Sequence, residues 1–184
     1  PPSLIIDPEF EAKCSYDMTL ITLNIASIYS KKANLERALE CYEDGVKGLA
    51  EYEEATEKIR EINASVLAST KHSAHKHVVA ALGRIGSIKV KLGDQEGALE
   101  AYMYLIDQVS DDSPIASHIE KAKAHIKCAT LFRKRETAED HETAVLHLKD
   151  ALRMYKALYA ADHKDTLAIS TTLKQWLAED KQKQ

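Results

Sequence analysis

Residues 25–42 read IASIYSKKANLERALECY. Ile25, Ala26, Ile28 and Tyr29 belong to an apolar stripe that starts at Leu20 and Leu23, recurs at helical spacing and ends at Lys31-Lys32. Asn34 stands next as an N-cap, and Leu35, Ala38, Leu39, Tyr42, Val46 and Leu49 resume the same period. Two helices joined by so short a turn lie side by side and antiparallel. They cross closely only where both lack bulk, which Ala26 and Ala38 supply twelve residues apart. Tyr42, four residues past Ala38, lies on the same helix face and fills the wedge beside the crossing.

That grammar recurs twice. Ile85-Gly86 is followed by Ala98 and Tyr102, again with twelve residues between the small positions 86 and 98. Cys128-Ala129 precedes Phe132 and then Ala144, Leu148 and Ala151; here the spacing is 15, because the loop is three residues longer. Outward from these pairs, Asp7-Pro8-Glu9 reads as a helix start with Asp as N-cap and Pro in the first turn, and Ser113-Pro114 repeats the signal. No proline falls between Pro8 and Pro114, so the second helix is expected from Leu35 to about Leu67, roughly 50 Å. A break is expected at Ser69-Thr70-Lys71, a helix end at Gly93, and two further helices at about 115–135 and 141–160, joined by Glu136-Thr137-Ala138-Glu139-Asp140.

The pattern predicts an all-α chain: an irregular lead-in over 1–7, one helical domain over 8–178, and a frayed tail over 179–184. The last helix, Thr166–Ala178, offers Trp176 and Leu177 where the earlier pairs have Ala or Gly. It therefore reads as a capping helix without a closely packed partner.

The three pairs resemble the tetratricopeptide repeat, whose signature is a large residue, Leu-Gly, an aromatic, then Ala-x3-aromatic. The resemblance spans about residues 15–178. It implies a right-handed α-solenoid of about three helical hairpins plus a C-terminal cap. Lys89 departs from the pattern where the family has an aromatic, and successive Ala residues at 38, 98 and 144 lie 60 and 46 apart, against ~34 in the ordinary repeat. The long repeats and the turn Asp162-His163-Lys164-Asp165-Thr166 are similar to the kinesin-light-chain type, with Lys164 in place of its proline. Kinship with that type implies a cytoskeletal or ciliary setting.

Composition narrows the function. Against 29 Asp and Glu stand 25 Lys and Arg, a net charge of -4, which disfavours a dedicated nucleic-acid binder. No apolar run reaches the ~18 residues of a membrane span. Cys14, Cys41 and Cys128 are too few and scattered for a disulfide framework, which suggests a reducing, intracellular compartment. The start at Pro1-Pro2 suggests a processed or truncated chain. His72, His75 and His77 cluster without a carboxylate to complete a metal site, and neither a nucleophile with its base nor a phosphate-cradling glycine loop is evident. No cofactor, metal or enzymatic activity is expected.

An interaction role is. In a tetratricopeptide stack the first helix of each pair lines the concave face. Asn24, Arg84 and Lys127 lie on that side, Ser27, Ser87 and Thr130 stand one turn on, and Lys31, Lys91 and Lys123 extend the row. Such a polar, positively biased groove suits an acidic peptide or helix of another protein. Leu23 and Ser27 occupy places where the chaperone-tail clamp of some members needs Lys and Asn, which disfavours that role. The alternative is a structural subunit held in a large assembly by its outer faces and the extended helix 35–67, with Tyr52, Ile59, Ile62 and Val66 buried by a partner.

Overall fold

A computed structural model describes residues 7–62, 68–135, 137–159 and 162–182, with the side chains of 60–62 and 68–73 outside that description. Among the described residues there are seven α-helices and no strand: α1 Pro8–Lys31, α2 Leu35–Ile62, α3 Ala68–Leu92, α4 Gln95–Gln108, α5 Ile115–Arg133, α6 Ala138–Leu158 and α7 Lys164–Gln182. None is long and apolar enough to cross a membrane. The chain divides into two compact units, Pro1–Gly93 and Asp94–Gln184.

In the first unit, Asp7 caps α1 by accepting the Glu9 amide at 3.0 Å, with Pro8 in the first turn. The α1–α2 turn places Ala33 in the left-handed region at φ 58°, where glycine is usual. Asn34 N–H reaches back to Tyr29 O at 3.0 Å and Ala33 N–H to Ser30 O at 3.2 Å. The Asn34 side chain then accepts the Arg37 amide at 3.2 Å, opening α2.

Ala26 and Ala38 are fully buried, as the crossing requires. The closest approach of α1 and α2 lies further along. A Cβ on Gly45 would overlap the end of the Leu23 side chain, and one on Gly48 would lie 2.5 Å from Thr19 Oγ1. With Tyr16 against Tyr52 at 4.8 Å between ring centroids, the pairings 23/45, 19/48 and 16/52 make the hairpin antiparallel. Lys89 reaches Glu43 at 3.5 Å, and the His77 ring meets Tyr16 at 6.4 Å, so α3 is antiparallel to α2 and runs with α1. Val78, Val79, Leu82, Ile85 and Ile88 are the buried face of α3.

Helix α3 begins at Ala68, so the break expected at Ser69-Thr70-Lys71 falls inside its first turn; α2 is described to Ile62, and the remainder of the expected helix 35–67 lies outside the described residues. Gly93, at φ 85°, ends α3.

In the second unit, Asp94 caps α4 by accepting the Gly97 amide at 2.9 Å. Pro114 occupies the N-cap of α5 itself, whereas the sequence pattern placed it in the first turn behind Ser113; the Ser113 hydroxyl instead accepts the Ser110 amide at 3.1 Å within the turn. Thr137 caps α6 through the Asp140 amide, which draws Ala138, Glu139 and Asp140 out of the expected loop and into the helix. Ala122, Ala129, Leu148, Tyr155 and Ile169 form the core between α5, α6 and α7, with Leu173 and Trp176 packed against it.

Helix α7 continues to Gln182, beyond the expected end at Ala178. The physical reason is Arg133: its guanidinium donates to Asp180 Oδ1 at 2.7 Å and Glu179 Oε2 at 2.8 Å, and lies 5.2 Å from the centre of the Trp176 ring. Glu179 and Asp180 are therefore stapled to α5, and the helix runs on to Gln182 where a frayed tail was expected; 183 and 184 lie outside the described residues.

Candidate interaction surfaces

Each expected surface stripe sits on one face of one helix. Asn24, Ser27 and Lys31 recur on α1 at spacings of three and four, as do Arg84, Ser87 and Lys91 on α3, and Lys123, Lys127 and Thr130 on α5. Asn24, Lys31, Arg84, Lys91, Lys123, Lys127 and Thr130 are exposed; Ser27 and Ser87 are half-buried.

Within the first unit the α1 and α3 stripes stand at matching heights. The helices run the same way from the Tyr16–His77 contact; Asn24 is eight residues beyond Tyr16 and Arg84 seven beyond His77, or about 12 and about 10 Å along each axis. The α5 stripe belongs to the second unit.

Lys123 donates to Glu120 at 2.7 Å, a hydrogen bond that raises its pKa and partly spends its charge. Lys31, Arg84, Lys91 and Lys127 have no ion pair among the described residues. The Ser87 hydroxyl donates to Gly83 O at 2.9 Å and that of Thr130 to Ile126 O at 2.8 Å.

The extended-helix surface is different from expectation. Tyr52 is buried inside this chain against Tyr16, and so is not presented to a partner; Ile59 is half-buried, and the side chains of Ile62 and Val66 lie outside the described residues. Of the histidine cluster, His72 likewise lies outside them, while His77 turns its ring to Tyr16 and is held below the ordinary histidine pKa by burial and then by Lys76. Among the described residues no three His, Cys, Asp or Glu side chains gather as metal ligands.

Two features escape a reading of spacing alone. First, Ile25 and Ile28, assigned to the core stripe of α1, are 41% and 52% exposed; with Met18 at 64% and Ile21 at 53% they form an open apolar band. Their three- and four-residue spacing was visible, but what covers a stripe is not written in its period.

Second, His125 and His147 meet at the α5–α6 crossing with Nδ1 to Nδ1 at 3.0 Å, and Phe132 stacks on His147 at 5.6 Å. At this distance one Nδ1 carries the proton and the other accepts the hydrogen bond, so the two Nδ1 atoms are not both protonated. Burial drives His125 down to about 4, with the neighbouring His147 adding to the effect, and burial lowers His147 as well. Beside them Cys128 is fully buried, its thiol pushed up to about 12 by burial. This cluster is packing, held away from solvent.

Neither a protein-family model nor a curated protein matches the chain.

Proposed function

We propose that the chain is a non-catalytic interaction module, a tetratricopeptide-like array of about three hairpins in a right-handed solenoid with α7 as its cap. Its first-position helices α1, α3 and α5 take an acidic peptide or helix of a partner protein. The observation that carries the reading is the set of exposed cations at equivalent places on those helices, Lys31, Arg84, Lys91 and Lys127, which no carboxylate neutralises among the described residues. Cations left unpaired on a folded surface gain most from a carboxylate delivered by a ligand. A role without turnover fits the burial of the one thiol and two imidazoles that pack together, since a thiol pushed up to about 12 supplies no thiolate at neutral pH.

The test is affinity capture from native extract with wild type and the Arg84→Glu, Lys127→Glu double variant, circular dichroism establishing equal helicity. Loss of one set of partners with the variant is expected, and wild-type binding should weaken as salt rises. Capture of the same partners by both would overturn the reading.

The alternative, a structural subunit of a larger assembly, cytoskeletal or ciliary by the kinesin-light-chain resemblance, is favoured by one observation, the open apolar band on α1. The burial of Tyr52 removes one of the four residues expected to meet a partner on the extended helix.

A further inference from the structure

Helix α1 carries a second surface, on another side from its polar stripe. Cys14, Met18, Ile21, Ile25 and Ile28 are all exposed and recur at spacings of four, three, four and three, the a/d period of a helix–helix seam. The helix buries Ala12, Thr19 and Ala26 on α2 and sets Tyr16 against α3, so the seam lies on the flank that neither covers. Four large aliphatic side chains, each between 41% and 64% exposed along about three turns, are a binding surface for another apolar helix face.

The charges beside the seam say which one. Asp17, Asn24 and Lys31 stand at seven-residue intervals along one edge of it; all three are exposed, and neither charge has an ion-pair partner among the described residues. The other edge holds Ser15, Thr22 and Tyr29, without charge.

We propose that this face pairs antiparallel with α1 of a second copy of the chain. With Met18 against Ile28 and Ile21 against Ile25 of the other copy, Asp17 meets the second copy's Lys31, the reciprocal pair forms by symmetry, and the two Asn24 side chains face each other at the two-fold axis. The acidic first turn, Glu9 and Glu11, lies toward the basic end, Lys31-Lys32. An acid, an amide and a base at equal intervals along one edge match themselves when reversed, which is what an isologous two-fold interface demands. A parallel pairing sets Asp17 against Thr22, makes no such pair and brings the two Cys14 together. The helix is already ordered on α2, so pairing does not have to fold it.

This proposal is independent of the groove reading at Arg84 and Lys127, which stand on α3 and α5. It competes with that reading only for Asn24 and Lys31, which border both surfaces.

The experiment is sedimentation equilibrium of this chain from about 1 to 100 μM, bracketing the Kd of a modest interface. Wild type should sediment as a dimer at the upper end. Ile25→Asp should be monomeric throughout with an unchanged circular dichroism spectrum, the site being exposed. Asp17→Lys and Lys31→Asp should each weaken the dimer by about tenfold through two symmetry-related repulsions, and the double exchange should restore it.

A monomeric wild type at 100 μM overturns the proposal, as does a dimer indifferent to Ile25→Asp. Single exchanges without effect, or without mutual rescue, overturn the antiparallel register, as does efficient oxidation to a Cys14-linked dimer. A dimer that survives Arg84→Glu with Lys127→Glu while partner capture is lost would separate the two surfaces.

Discussion

Replacing Gly48 with alanine sets two well-measured effects against each other. Alanine in a helix interior is favoured over glycine by roughly 1 kcal/mol, so propensity alone predicts a stabilised α2. The contact predicts the reverse. The added Cβ would lie 2.5 Å from Thr19 Oγ1, 3.2 Å from Cγ2 and 3.4 Å from Cβ, and the first two are closer than ordinary van der Waals contact. Thr19 cannot swing aside cheaply: it is buried, β-branched and tied by its hydroxyl to Ser15 O at 2.9 Å. Overpacking of this kind costs about 1–3 kcal/mol, and losing the hydroxyl bond about 1 kcal/mol more. The net expectation for Gly48→Ala is therefore a loss of about 1–3 kcal/mol.

The assay is urea unfolding followed by circular dichroism at 222 nm, run as a cycle with Thr19→Ala. Removing Oγ1 and Cγ2 leaves only a 3.4 Å contact, so Gly48→Ala in the Thr19→Ala background should recover its propensity gain of up to about 1 kcal/mol, a coupling of about 2–4 kcal/mol. Gly45→Ala is the internal contrast. Its Cβ meets the flexible end of a half-buried Leu23, which can move, so the same substitution should lie near zero. A Gly48→Ala protein more stable than wild type, with no coupling to Thr19, would refute the close approach of α1 and α2.

Two further outcomes follow from the second unit. Arg133→Ala should cost about 2 kcal/mol, since it removes two charge-assisted hydrogen bonds and the cation over Trp176; Arg133→Lys should recover less than half. Trp176 fluorescence during urea unfolding reads this directly, and an unshifted midpoint would show that α7 is held by apolar packing alone. The His125–His147 pair makes stability fall with acid. An unfolded histidine takes its proton below about 6.5, the folded His125 only near 4, so in that window the unfolded state holds more protons and stability is lost as pH drops. Between pH 7.5 and 5 the loss should be about 2 kcal/mol, and His125→Asn should remove most of it; an unchanged slope in that variant would place the acid sensitivity elsewhere.

Asp7 with Pro8, Asn34 and Gly93 were legible because each rests on local chemistry and acts as its residue type dictates; the start of α5 at Pro114, that of α6 at Thr137 and the course of α3 through Ser69-Thr70-Lys71 were not. The burial of Ala26, Ala38, Ala129 and Ala144 was legible too, all at 0% exposure, although α1 and α2 come close at Gly45 and Gly48. The remaining failures were decided by residues far apart in sequence. Asp180 reads as a charged, fraying end until Arg133, 47 residues earlier, is placed beside it. His125 and His147, which the sequence pattern did not single out, meet only because α5 and α6 bring them together across 22 residues. Gly45 and Gly48 carried a local signal, two glycines within one turn of an otherwise strong helix, and tolerating their cost of ~1 kcal/mol each implied a close neighbour.

The error over Ile25 and Ile28 is of another kind and bears on function. Periodicity locates an apolar stripe on a helix; burial depends on whether the same chain supplies a cover. On α7 the exposed Leu167 and Leu177 are ten residues apart, with exposed Thr171, Lys174 and Gln175 between them. On α1 the exposed large apolar residues are Phe10, Met18, Ile21, Ile25 and Ile28, the last four in regular succession. A continuous seam edged by Asp17, Asn24 and Lys31 is the pattern of a face that packs on another helix, and it is the basis of the proposed pairing. On the two proposals together, the apolar flank of α1 pairs with a second copy of the chain, while the polar flank, with Arg84, Ser87 and Lys91 on α3, takes the acidic partner.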